Sequence, residues 1–346
     1  MTRLSTNQTF TLAAAAGVGA AWLATRLSRN RLAISFEDRV VVITGGSRGL
    51  GLVMARMFVD EGARVVLLAR DLGELDRARE DLESRGRGAV LMLRCDIRRR
   101  ADVRAAVDAI LDHWRTIDVL VNNAGVIQVG PFEHMTHDDF GNAMATHFWG
   151  PLNLMLEIVP TMIHRRFGRV VNISSIGGRV AVPHLGPYCA SKFALTGLSD
   201  AARAELDRYG IRVTTVIPGL MRTGSPINAQ FKGQHDVEYA LFKVTSSIPG
   251  LTISAERAAR RIVNACRYGD PSLTITPQAR LAVIANAAAP ATVARAMMLV
   301  SRMLPGPTGP HGDRVLKGRD TQPPAGWTPS IVTALTDRAA LANNET

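Results

Sequence analysis

At 346 residues and 47% hydrophobic content, the chain can bury one large core and still carry extensions. Three cysteines, Cys95, Cys189 and Cys266, are an odd number without metal-ligand spacing, which argues against a disulfide framework and a metal site and suits a reducing compartment. The net charge of +11 fits an anionic surface, but the arginines are dispersed and the densest run, residues 98–100, has no interleaved aromatics, which argues against nucleic acid.

In chain order, residues 9–25 carry no charge and are followed by Arg26, Arg29 and Arg31. A full transmembrane helix needs about 20 strongly apolar residues, so this span is marginal. The expectation is a membrane anchor or interfacial helix within residues 1–36; a cleaved signal and a docking helix are the other readings. If it spans, the arginines keep the rest of the chain on the cytoplasmic side.

Residues 39–43 are a β-branched run, read as a buried strand, and Gly45, Gly49 and Gly51 follow before a helical apolar pattern over 53–59. A strand, a glycine turn and a helix start together aim N–H groups and a positive helix end at an anion, and the missing side chains let a pyrophosphate approach. The second strand, 63–69, ends in Arg70, where a βαβ nucleotide unit faces the adenosine ribose; a guanidinium there pairs with a 2′-phosphate. Asp71 is the competing residue if the register slips by one.

Further strands are expected at 89–94, before Asp96 and Ile97; at 118–121, before Asn122, Asn123, Ala124 and Gly125; and at 169–173, before Ser174 and Ser175. Tyr188 and Lys192 are four residues apart and share a helix face, so the ammonium can favour the ionised phenol. A free phenol, with a pKa of about 10, needs such a push for acid–base work at neutral pH. A sixth strand over 211–217 leads into Pro218, Gly219 and Thr223. Residues 224–251, with Phe231, Tyr239 and Phe242 among polar neighbours, read as a substrate lid suited to a lipophilic compound; the same aromatics would also serve simply to dock it.

The alternation of strands and helices predicts an α/β fold, a Rossmann-like doubly wound parallel sheet. One catalytic domain over 37–275 carries N- and C-terminal helical extensions. Residues 276–304 are apolar, interrupted by Pro290 and marked by Arg280, Arg295 and Arg302, and read as a surface-lying helix pair, a helical cap or an oligomer contact. Within 305–346, a Pro- and Gly-rich flexible linker precedes a helix over 328–343.

The ordered set TGGSRGLG at 44–51, Asp96, NNAG at 122–125, Ser175, YCASK at 188–192 and PG at 218–219 resembles the short-chain dehydrogenases/reductases over about residues 38–270. The resemblance implies hydride transfer between a nicotinamide and a carbonyl or hydroxyl group. Ser175 would polarise the carbonyl, Tyr188 act as general acid/base, and Lys192 also bond the nicotinamide ribose. The implied cofactor contacts are Gly45, Ser47, Arg48, Gly49, Leu50, Gly51, Arg70, Asp96, Ile97, Asn123, Ala124, Gly125, Tyr188, Lys192, Pro218, Gly219 and Thr223. Arg48 with Arg70 points to NADP(H) ahead of NAD(H). Asn122 would tie strands together.

One position departs from the pattern: His147 stands where the family commonly places an asparagine, and Asn142 is out of phase. Histidine can hold a relay water and serve as a fourth catalytic residue, or simply pack. The expected function is an NADP(H)-dependent oxidoreductase of a lipophilic carbonyl or alcohol, a homo-oligomer at or near a membrane surface. An NADP-binding scaffold or redox sensor is the alternative.

Overall fold

The structure is a computed structural model that describes residues 29–322, 326 and 330–345. The expected N-terminal anchor over 9–25 lies outside the described residues. Seven strands form the central sheet: β1 (Val40–Thr44), β2 (Arg64–Ala69), β3 (Ala89–Arg94), β4 (Val119–Asn122), β5 (Gly168–Ile173), β6 (Ile211–Ile217) and β7 (Ser272–Thr274). Their order is β7-β6-β5-β4-β1-β2-β3, and every pair is parallel. The strand order reverses between β1 and β4, the switch point where such sheets open a ligand crevice.

The continuous apolar run of β1 follows from burial on both faces. Val41 and Ile43 face one core with Leu52 and Phe58 of α1 (Gly49–Asp60), Leu75 and Leu82 of α2 (Leu72–Glu83), and Ile262 of a later helix. Val40 and Val42 face the other core, with Val103 and Ile110 of α3 (Arg100–Trp114). After α4 (His137–Met144), a π-helical turn at Ala145–Trp149 leads into α5 (Gly150–Arg165), whose Leu154 and Ile158 join that second core. The long α6 (Gly186–Leu206) follows β5. Residues 29–36 are tied in as well: Phe36 is fully buried edge-on against Phe58, and Arg29 pairs with Asp270.

The segment read as a lid is organised. It holds a short strand, Gln230–Phe231, and α7 (His235–Thr245), and its aromatics turn inward: Phe231 stacks edge-on with Tyr239 and Phe242 in a small satellite core. The linker differs from its expectation of flexibility. Leu316–Lys317 pairs antiparallel with that short strand, and buried His134 bonds Asp313 and the Thr308 amide. Pairing of its backbone groups holds the segment despite its composition.

After α8 (Ala255–Tyr268), α9 (Pro277–Ala288) and α10 (Pro290–Ser301) form the expected proline-separated pair. They bury almost nothing: Leu281, Ile284, Met298 and Leu299 are each 60–69% exposed. No described helix is long and apolar enough to cross a membrane. The last helix, α11 (Ser330–Ala342), leans on α7 and on the strand at Met221–Arg222.

Candidate active site

The glycine turn sits between β1 and α1 at the switch point. Gly45 has φ +62°, and a Cβ there would touch the Ala124 Cα at 3.0 Å. At Gly51 a Cβ would fall 2.1 Å from the Gly45 carbonyl oxygen, so a side chain there cannot fit without moving the turn. Asn123 fastens this turn from β4: its amide donates to the Thr44 and Gly45 carbonyls at 3.1 and 3.2 Å. Asn122 ties strands together through Asn172, at 2.8 Å. Leu50 is buried beneath the turn, and a Cβ at Gly125 would press on His147.

Two cations flank the crevice differently. Arg48 donates to Glu74 at 2.7 Å and to Asn228 at 3.1 Å, and Ser47 bonds the same carboxylate. Arg70 is exposed and lines a cleft of roughly 290 Å³ with Arg94, Asp96, Arg99 and Asp102. Asp71 is withdrawn from that cleft, because its carboxylate caps α2 by accepting from the Glu74 amide. The Arg98 guanidinium, doubly bonded to Asp96, holds that carboxyl below its usual range, with Arg70 a lesser contributor. Ile97 is buried and contacts the position a Gly150 Cβ would fill.

Across the crevice, β5 and α6 bring three side chains together. Ser175 Oγ accepts from the Gly177 amide at 3.1 Å and is hydrogen-bonded to the Tyr188 phenol. Ser174 points away, bonding the Lys192 carbonyl and Thr196 behind the helix. Lys192 Nζ lies 5.7 Å from the centre of the Tyr188 ring and donates to the Ile173 carbonyl at 2.8 Å.

The electrostatics differ from the expectation that lysine lowers the phenol. Burial pushes Tyr188 up to about 12, against the opposing hydrogen bond from Ser175, and burial brings Lys192 down to about 7. Removal from water disfavours the charged form of each, a phenolate in one case and an ammonium in the other. At neutral pH, Tyr188 in this environment holds its proton.

His147 lies in the π-helical turn, nearly fully buried, its ring edge-on to Tyr188 at 5.5 Å. Nε2 accepts from the Val126 amide at 3.1 Å, so the proton resides on Nδ1, which donates to Ser191 Oγ at 2.7 Å. Burial, with Lys192 nearby, lowers its pKa well below the ordinary value. The ring is neutral and both nitrogens are committed to protein partners.

On the far wall, the Pro218 carbonyl accepts from the Ile176 amide, a Cβ at Gly219 would strike Thr276, and Thr223 bonds Ser225. Sequence reasoning missed three participants. Ser191 orients His147, Glu74 holds Ser47 and Arg48, and residues 343–345 reach the glycine turn, where the Gly49 amide donates to the Asn343 carbonyl at 2.8 Å. Their only sequence signal is an Asn-Asn pair after the last helix, residues suited to a left-handed helix end.

A doubly wound parallel sheet with a glycine turn at its switch point defines a Rossmann-type nucleotide-dependent protein. The model of the short chain dehydrogenase family matches residues 39–232. Dehydrogenase/reductase SDR family member 7B of Danio rerio is 36% identical over 221 residues, 62% of this chain and 72% of that protein. The 3-ketodihydrosphingosine reductase of Bacteroides thetaiotaomicron is 35% identical over 207 residues, 59% of this chain and 72% of that protein. A metagenomic short-chain oxidoreductase, solved in complex with NADP, superposes with a TM-score of 0.57 at 29% identity, covering 70% of this chain and 99% of that one. This chain belongs to the short-chain dehydrogenase family and is an NAD(P)-dependent oxidoreductase.

Proposed function

We propose that the protein is an NADP(H)-dependent reductase of a lipophilic carbonyl compound. The observation that carries this reading is the pairing of Ser175 with the Tyr188 phenol, with Lys192 one helical turn beyond the tyrosine. The residues fit a dinucleotide. The turn has no room for side chains at Gly45 and Gly51, and its Gly49 amide already donates to an oxygen, the Asn343 carbonyl. An exposed Arg70 in a cleft beside β2 supports a 2′-phosphate partner, as does the NADP held by the related metagenomic enzyme.

When bound, the nicotinamide supplies the hydride. Ser175 Oγ then donates to the substrate oxygen as negative charge develops on it, and Tyr188 gives that oxygen its proton. A phenol held protonated at neutral pH is a donor, which suits reduction. Lys192, its Nζ 5.7 Å from the centre of the phenol ring, would replenish the proton and meet a ribose hydroxyl. His147 is a positioning residue, because both its nitrogens are already bonded.

Support for a lipophilic substrate comes from aromatics at the start of α6. Phe132, 74% exposed, and Phe140 meet near Gly186, two residues before Tyr188, and one relative is a 3-ketodihydrosphingosine reductase. The inward-turned aromatics of α7 dock that segment and lend no support. The exposed apolar face of α9 and α10, with Arg280, Arg295 and Arg302 and no acidic residue over 271–312, fits an anionic lipid surface. NADPH consumption on carbonyl compounds graded from small to lipophilic tests the reading. Binding of NADPH without turnover on any of them favours a scaffold or sensor instead.

A further inference from the structure

The end of α11 does something the reductase chemistry does not require. The helix stops at Ala342, and Asn344 takes the left-handed conformation at φ +58°, turning residues 343–345 back into the glycine turn. Asn343 is fully buried; its carbonyl accepts from the Gly49 amide at 2.8 Å and its side-chain oxygen from Arg56 at 2.8 Å. The Asn344 amide donates to the Ser47 and Glu74 carbonyls at 2.9 and 3.0 Å, and its oxygen accepts from Arg77.

Glu345, 6% exposed, places its carboxylate between the two walls of the crevice. One oxygen accepts from the Gly224 amide at 2.6 Å, while the carboxyl lies against Gly49, where a Cβ would meet it at 2.9 Å. Gly224 makes room for it, since a Cβ there would strike the Glu345 Cβ at 2.5 Å. The first amide of α1, which a pyrophosphate would engage, thus already holds a backbone oxygen, and a carboxylate stands beside it.

We propose that residues 343–345 are a built-in competitor of the dinucleotide: they fill the phosphate-binding space between the glycine turn and residues 223–225, and the cofactor binds when they withdraw. The proposal rests on the reading of that turn as a dinucleotide site. Two features make the seat releasable. The Asn343 side-chain nitrogen is buried without a partner, and burial pushes the Glu345 carboxyl up to about 7, the Gly224 amide and Arg48 opposing and Glu74 reinforcing. Both features disfavour the docked, ionised tail.

The test measures NADPH binding without substrate in three proteins: the full chain, the full chain carrying Glu345→Ala, and a chain ending at Ala342. Both variants are expected to bind NADPH about tenfold tighter, the factor for an open state holding about a tenth of the molecules. Adenosine 2′-monophosphate, which lacks the pyrophosphate, should bind all three alike. A fluorophore on Thr346→Cys, labelled selectively because Cys95, Cys189 and Cys266 are buried, should lose anisotropy as NADPH saturates the full chain. Equal or weaker NADPH binding in both variants, or a label unmoved by NADPH, overturns the proposal. NADPH binding to none of the three sinks the dinucleotide reading and this proposal together.

Discussion

His147 Nδ1 lies 2.7 Å from Ser191 Oγ, and that hydroxyl in turn donates to the Tyr188 carbonyl at 2.9 Å, so the histidine is anchored to the helix that carries the tyrosine. His147→Ala would leave the Val126 amide unpaired and remove a partner from Ser191 in a buried setting. We expect a loss of about 1–3 kcal/mol in urea unfolding, the cost of an orphaned buried donor. The pH profile of kcat/KM should keep its limbs. Loss of a limb near pH 6–7 would show that the ring itself carries a proton.

Tyr188→Phe keeps the ring against His147 and removes the hydroxyl proposed to protonate the product oxygen. Turnover should fall about 10²–10⁴-fold, the range for a positioned general acid. NADPH affinity should change little. A mutant retaining a third of wild-type kcat would point to another proton donor.

Arg70 is an exposed cation at the end of β2, sharing its cleft with Arg94 and Arg99, whereas Arg48 is engaged by Glu74. Arg70→Asp should weaken NADPH by about tenfold or more, as loss of a charge-assisted phosphate contact implies, and leave NADH nearly unaffected. Titration of both nucleotides by reduced-nicotinamide fluorescence checks this. Equal weakening of the two would remove the 2′-phosphate from the cleft.

Lys192 is held down from 10.5 to about 7 by burial, so between those values the unfolded chain binds the extra proton and stability rises with pH. The penalty is complete below about 7 and lifts toward 10.5. The nucleotide-free protein should therefore gain stability relative to Lys192→Met between pH 7 and 9, read from urea midpoints. Parallel curves would mean that the ammonium is solvated or paired.

The helix pair can be separated from the N-terminal segment. A chain starting at Arg29 keeps Phe36 in the core and should still sediment with vesicles rich in anionic lipid; Leu281→Asp with Met298→Asp should abolish this. Sedimentation unchanged by the two aspartates would exclude that face. A change in oligomeric mass instead would identify it as a contact between copies.

The sequence by itself determined the architecture and the placing of the candidate Tyr188–Lys192 pair, because both are written in short-range patterns. Doubly buried β-branched runs dictate a parallel sheet, three glycines dictate a close turn, and a four-residue spacing puts Tyr188 and Lys192 on one helix face. The tertiary structure decided what depends on partners remote along the chain. Ser175 rather than Ser174 meets the phenol, because Ser174 is turned to the Lys192 carbonyl and Thr196. Arg48 turns to Glu74, 26 residues away, and Asp71 is spent as a helix cap. Burial, absent from any sequence pattern, sets the pKa directions of Tyr188 and Lys192. Glu345 reaches Gly224 across 121 residues, a contact fixed by the path of the folded chain and by no local propensity.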